Sequence, residues 1–349
     1  PILASRGCVR GCSFCSIPNF YRNAPGRVVR IRKAEKVVEE MQHLHRRRGI
    51  RVFLFQDDDF PVWSARGRRW ARELTDRLHD SGLAERTLWK ISCRAEYVEP
   101  ELFSMLRDAG LFLVYLGLES GNAEGLRVLR KELSTEQSLE AVDTLKYLGV
   151  SANFGFMLFD PSSSFATVRE NVDFLREIAG DGHSSVTFGR MMPYEGTASR
   201  DRLQQEGRLK GSIASPDYDF YDRRLNDYCL LLFRAVAPWL DKNGFSDELN
   251  YAWYELEAVR RLVPDIRGLE RYRQALRSLT AESKEIRLRM VYESSIAVEH
   301  GERWHPDSFH AKGYCETGRA RLLEMRNGFI VENIDSLLAA SEESVSLAS

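Results

Sequence analysis

Over roughly its first 190 residues the chain alternates between short β-rich apolar runs and amphipathic helical segments, a rhythm that few folds accept. Ile2-Leu3-Ala4 is the first run. Val37, Val38, Met41 and Leu44 then share one face of a helix ending near Gly49. The run 51–55 reads as a strand, 66–80 as a helix stopped by Gly82, and 88–92 as the next strand. Pro100 opens a helix that ends at Gly110. A strand over 111–118 precedes a helix over 135–148, with Thr135 as its cap and Gly149 as its stop. A strand at 154–159, a helix at 165–179 and a strand at 186–188 complete six repeats. Near-continuous apolar strands between amphipathic helices specify a parallel sheet covered by helices. Six repeats are too few to close an eightfold barrel, so the expected α/β fold is a partial (β/α)6 TIM-type barrel.

Beyond Gly196 the pattern changes. A Gly/Ser/Pro-bearing link over 210–216 leads into mostly helical sequence, giving expected domains of 1–205 and 206–349, the second a helical cap on the barrel mouth or a docking domain. With 43% hydrophobic residues, 29% charged and a net charge of −1, the chain is neither disordered nor a dedicated polyanion binder. The basic run His43–Arg51 suits a solvated helix end rather than a nucleic-acid patch. No apolar run has the length of a membrane span and no signal peptide is visible, so the expected location is the cytoplasm.

Of six cysteines, Cys8, Cys12 and Cys15 fall within eight residues, spaced C-x3-C-x2-C on the loop after the first strand. Thiolates this close can converge on one soft metal centre, and Gly11, Arg6 and Arg10 favour a tight loop and the thiolate form. A closed zinc site needs a fourth ligand, and no further Cys or His occurs before His43. An iron–sulfur cluster held by three cysteines keeps one iron open. A zinc loop, or a non-catalytic iron–sulfur protein, is the competing reading. His305, His310 and Cys315 recur every five residues and do not stack on one helical face, while Cys93 and Cys229 sit in apolar surroundings that suit packing.

In parallel α/β sheets function gathers at the C-terminal strand ends. There the sequence places the three cysteines, Asp57-Asp58-Asp59, Arg94, Glu119-Ser120 and Arg190. The Cys motif with Phe14, together with Phe55-Gln56-Asp57-Asp58-Asp59-Phe60, Ser92-Cys93-Arg94, Tyr115-Leu116-Gly117-Leu118-Glu119-Ser120-Gly121 and Pro193-Tyr194-Glu195-Gly196-Thr197, resembles the radical S-adenosylmethionine (SAM) enzymes. It is similar above all to the subgroup that carries an upstream cobalamin-binding domain. The resemblance covers roughly residues 1–200. It implies a 4Fe–4S cluster on Cys8, Cys12 and Cys15 with SAM on the open iron. It further implies that Gln56, Asp57 and Asp58 meet the SAM amino group, that Glu119 holds the ribose, and that Arg94 meets the SAM carboxylate or pairs with Glu119. Phe14 and Gly155 would flank the adenine, and Ser120 and Arg190 complete the cofactor-binding set.

The implied activity is reductive cleavage of SAM to a 5′-deoxyadenosyl radical that takes hydrogen from an organic substrate. Cobalamin-dependent methyl transfer to carbon leads if a cobalamin domain precedes Pro1, as the missing Met and the immediate first strand suggest. A cobalamin-independent cyclase, oxidoreductase or rearrangement enzyme is the alternative. The implied partners are a reductant such as flavodoxin or ferredoxin and a small-molecule or peptide substrate, with no membrane and no nucleic acid.

Overall fold

The computed structural model describes residues 1–23 and 25–346, with side chains described through residue 341 apart from that of residue 24. The chain enters beside its own third strand. Ile2 bridges Phe55 in parallel, its amide donating to Leu54 O and its carbonyl accepting from Gln56 N, both at 2.9 Å. The backbone then turns away as β1 (Ser5–Arg6), runs through α1 (Ile17–Arg22), and returns as β2 (Arg30–Ile31), antiparallel to β1. The repeats follow as α2 (Ala34–Arg48), β3 (Val52–Leu54), α3 (Ala65–Asp80), β4 (Leu88–Arg94), α4 (Pro100–Asp108), β5 (Leu111–Glu119), α5 (Ala123–Val128), α6 (Thr135–Tyr147), β6 (Ser151–Phe159), α7 (Phe165–Ala179) and β7 (Gly189–Arg190). β3 to β7 form one parallel sheet in sequence order, and Ile2 extends it beyond β3. This is the expected partial barrel.

The two faces of the sheet differ more than the apolar strands suggested. Trp89, Ile91 and Cys93 on β4, Val114, Leu116 and Leu118 on β5, and Phe154, Phe156 and Leu158 on β6 are buried on the face that packs against the helices. Their alternating neighbours Lys90, Ser92, Tyr115, Gly117, Asn153, Gly155 and Met157 are not fully buried. An unclosed barrel leaves its inner face open, so the strands alternate instead of being buried on both sides.

Local chemistry moves several expected boundaries. The cap of α6 is Ser134, not Thr135: its hydroxyl accepts from Gln137 N at 3.2 Å, and the Gln137 side chain accepts from Ser134 N at 2.9 Å, a reciprocal capping box. Residues 186–188 are not strand; the sixth pass pairs only at Gly189–Arg190, against Met157 and Phe159. The expected link at 210–216 is largely a hairpin, β8 (Leu209–Gly211) paired with β9 (Pro216–Tyr218), following α8 (Ala198–Gln205).

Five helices follow: α9 (Arg224–Leu240), α10 (Phe245–Leu262), α11 (Leu269–Glu299), α12 (Ala311–Glu332) and α13 (Ile334–Ser346). α9 meets the C-terminal end of β6, where Tyr228 and Phe233 pack on Phe159. α11 lies along α7, where the Lys284 amine donates to Ala179 O and Arg277 donates to Asp181 O. α10 closes the opposite end of the barrel: Tyr254, Ala258 and Leu262 pack on Leu88, Phe112 and Leu113, and Arg261 donates to Ala84 O at 2.7 Å. Tyr218 and Tyr228 are buried packing residues, whereas exposed Tyr221 stacks on Arg208 at 3.7 Å.

Candidate cluster and cofactor site

The Cys loop is pinned to the tips of the neighbouring strands. Gly7 N donates to Asp58 Oδ2 at 2.7 Å, and Ser13 is held by Leu129 O, Val128 O and Ser199 at 2.9 Å each. Arg10 reaches Tyr97 at 2.7 Å, Glu132 at 3.0 Å and Glu96 at 3.3 Å. Between these anchors Cys8, Cys12 and Cys15 are all half-buried free thiols. Each thiolate would feel the charge of the others, so the three share one electrostatic space. N–H donors already point at the sulfurs: Arg94 Nη1 lies 3.4 Å from Cys12 Sγ and Arg10 N lies 3.5 Å from Cys8 Sγ.

Burial pushes the Cys8 thiol up to about 11, against the opposing Arg10 amide, with Asp59 adding to the rise; burial also raises Cys15. Metal loading must therefore displace protons. Buried Asp59, 3.8 Å from Cys8 Sγ, is pushed up to about 7 by burial although Arg94 and Lys131 oppose the shift. Its Oδ1 has no hydrogen-bond partner among the described residues.

Beside the loop, β5 ends in an unusual turn. Glu119 has φ of 71°, a left-handed conformation uncommon for a residue with a side chain, which costs energy unless its surroundings hold it. Its carboxylate meets Lys131 Nζ at 3.1 Å, with both side chains buried. Gly117 and Gly155 pair in register just below. A Cβ on Gly117 would sit 2.7 Å from both Glu119 Oε1 and Lys131 Nζ, and one on Gly155 would sit 3.0 Å from the Tyr115 hydroxyl and 3.4 Å from Glu119 Oε2. Bare backbone thus runs under the carboxylate, which lies close enough to act electrostatically on Cys15. Three thiols, N–H donors to sulfur, a fixed carboxylate and a strip free of side chains suit an iron–sulfur cluster with an organic cofactor beside it.

Residues 2–175 match the radical SAM superfamily. The chain belongs to this family. Membership carries a 4Fe–4S cluster and SAM as cofactors, and the donor set at the strand tips fits both. Among its relatives, an uncharacterised methyltransferase of Pyrococcus horikoshii is 28% identical over 196 residues, covering 56% of this chain and 40% of that protein. The hopanoid C-3 methylase of Methylococcus capsulatus is 27% identical over 220 residues, covering 62% and 38%. The chain therefore spans well under half of either relative. Among solved structures, the cobalamin-dependent SAM radical enzyme OxsB superposes with a TM-score of 0.60 at 14% identity, covering 99% of this chain and 58% of that protein. That likeness speaks for a shared fold running through the helical region.

Within this radical SAM fold the expected residues separate into two sets. Cys8, Cys12, Cys15, Glu119 and Gly155 come together around one space, and Phe14 is half-buried against the core nearby. Gln56 is exposed on the inner side, and Asp58 holds the loop through Gly7. Asp57 is buried and accepts from Ala4 N at 3.3 Å, from Ser5 N, and from Ser5 Oγ at 2.6 Å. Buried Ser120 is likewise spent on Asn171, at 3.2 Å, and on Asn122. Arg190 is clamped by the hairpin, bonded to Tyr218 O and Asp217 with its guanidinium 4.1 Å from the Tyr218 ring centroid.

The expected Arg94–Glu119 ion pair does not form. Arg94 bonds to Glu96 and Lys131 O, whereas Glu119 takes Lys131. Lys131 escaped sequence reasoning because it sits in an aperiodic turn between Arg130 and Glu132, both at positive φ, where no strand-tip rule points. The Gly117–Gly155 pairing was half visible; a glycine at the same position on two adjacent strand motifs was the available signal.

Proposed function

We propose that this chain is the catalytic core of a SAM-cleaving radical enzyme that adds a methyl group to an unactivated carbon of an organic substrate. Cys8, Cys12 and Cys15 would hold the cluster, with N–H donors on two sulfurs. Glu119, fixed by Lys131, would accept from both ribose hydroxyls, since a carboxylate can take two donors at once. The Gly117–Gly155 strip would let the nucleoside lie against backbone, with Phe14 at its edge, while Gln56 and Asp58 face the amino-acid end. Bound there, the cofactors would supply one-electron reductive cleavage of SAM, while the protein orients the parts and excludes competing reactions. The electron would come from an external donor of the flavodoxin or ferredoxin kind, and we assign the reaction to the cytoplasm.

One observation carries this reading: the Glu119–Lys131 pair and its glycine strip stand beside the three-thiol loop. Methyl transfer draws support from the methylases among the relatives, and use of cobalamin from the OxsB structure, which was solved with aqua-cobalamin bound. We also place a domain boundary near residue 205, supported by the passage from β/α repeats to a hairpin and helices.

Anaerobic reconstitution followed by SAM and dithionite tests the reading. The wild-type protein should release 5′-deoxyadenosine, and Cys12→Ala should release none. A fully loaded cluster that leaves SAM intact would sink the catalytic assignment and favour electron relay. Hydroxocobalamin binding, read from its visible spectrum, separates the methyl-transfer reading from a cobalamin-independent one.

A further inference from the structure

Below the glycine strip the inner face of the sheet changes character. Lys90 shares that face with Ser92 and Arg94, since Trp89, Ile91 and Cys93 point the other way. Its ammonium lies 3.4 Å from Ser92 Oγ and 5.8 Å from the centroid of the Tyr115 ring, and it forms no ion pair among the described residues. Other buried or half-buried lysines are matched: Lys131 by Glu119, Lys146 by Asp181, and Lys284 by the Ala179 carbonyl. Burial alone pulls the Lys90 pKa down, because nothing nearby offsets the loss of water. A half-buried cation without a counter-charge is unfavourable unless something supplies one.

The surrounding wall is apolar yet open. Tyr115 is 42% exposed in the middle of a central strand, and Val52 and Leu54 on β3 are 42% and 38% exposed. Leu54 pairs in register with Lys90, and Ser92 with Tyr115. Asn153, opposite Tyr115, is tied to Tyr254 of α10, which packs on Phe112 at the closed end of the barrel. The result is an open inner face that carries aromatic and aliphatic side chains, the polar groups of Ser92 and Asn153, and one cation without a counter-charge among the described residues.

We propose that this inner face binds the substrate and that Lys90 binds its anionic group, a carboxylate or phosphate joined to an apolar or aromatic body. The assignment rests on the reading above only in placing the reacting end at the glycine strip. Arg94, in register with Gly117, stands four residues along β4 from Lys90, about 13 Å at strand spacing, which leaves room for a body of one or two rings. Anchored at depth by Lys90, such a molecule presents its far end to the cofactor site.

Isothermal titration of the cluster-reconstituted protein with 3-phenylpropionate, phenyl phosphate and neutral 3-phenylpropanamide tests this. At least one anion should bind the wild-type protein about tenfold or more tighter than the amide, as a charge-assisted contact at a desolvated site requires. Lys90→Met should erase that preference and Lys90→Arg should keep part of it; whichever anion binds better identifies the headgroup. Equal binding of amide and anions, no binding of any probe, or an anion preference that survives in a folded Lys90→Met protein would each overturn the proposal. Release of 5′-deoxyadenosine by the wild-type protein, measured in parallel, reports on the radical chemistry separately. An anion preference without SAM cleavage would leave the Lys90 site standing and remove the function above it.

Discussion

Gly117 shows how much chemistry one missing side chain can carry. Replacing it with alanine would bring a methyl group to 2.7 Å from the ends of both Glu119 and Lys131. Those ends are flexible, so the fold should absorb the change within about 1 kcal/mol, while the carboxylate is pushed out of position. Gly117→Ala should therefore bind SAM at least tenfold more weakly, by equilibrium dialysis on the reconstituted protein, with a urea midpoint close to wild type. Unchanged SAM affinity would detach the strip from the cofactor. Residues of this kind mark the limit of what could be read from the chain. The thiols were legible because their spacing is local. Glu119 was legible because a strand end is a place the pattern predicts. Lys131 was not, because its partnership depends on a turn of irregular backbone that follows α5. The bonds of Asp57 to the amides of Ala4 and Ser5 were not legible for a related reason: an acidic strand tip looks the same in sequence whether it meets a ligand or the backbone.

At the scale of elements, repeat order and sheet order followed from periodicity, and the discrepancies lie where side chains compete with backbone. Ser134 caps α6 ahead of Thr135 because the box with Gln137 satisfies two free amides at once. The packing of α11 on α7 was invisible in the sequence because the contact joins distant segments. It carries its own test. Lys284 is 2% exposed, and burial pulls its amine down to about 8. An unfolded lysine keeps its proton up to about 10.4. Between those values the unfolded chain binds more protons than the folded one, so this group contributes stability that rises with pH through that window. Below about 8 both states are charged and the gain is absent. Relative to Lys284→Met, the wild-type protein should gain on the order of 2 kcal/mol between pH 7.5 and pH 10, measured by urea unfolding. A pH-independent difference would mean that water reaches the folded amine and leaves its pKa unshifted.

At the scale of the molecule, the change of sequence pattern near residue 205 does not interrupt the apolar packing. One hydrophobic core runs from Ile2 through the sheet and helices to Phe329. Phe159 packs on Phe220, Tyr228 and Phe233, and buried Arg287 donates to Val186 O, so aromatic and polar contacts both cross the change in sequence pattern. A shared core unfolds as one unit. Calorimetry of the chain should show a single transition with equal calorimetric and van't Hoff enthalpies; two resolved transitions would establish independent domains. Among the described residues no helix is long and apolar enough to cross a membrane.

The sheet is deep at its centre and thin at its margins. β4 has seven residues and β5 and β6 nine each, whereas one flank is held by a single bridge at Ile2 and the other by the two residues of β7. The floor and the central staves are fixed by long hydrogen-bonded ladders, while the doorposts hang on a few bonds. An engineer wishing to admit a bulkier guest should leave the staves alone and randomise the doorposts, where a wider entrance disturbs the fewest pairings. Natural divergence faces the same economy of means, and within such a scaffold the size of the molecule admitted is the property most readily changed.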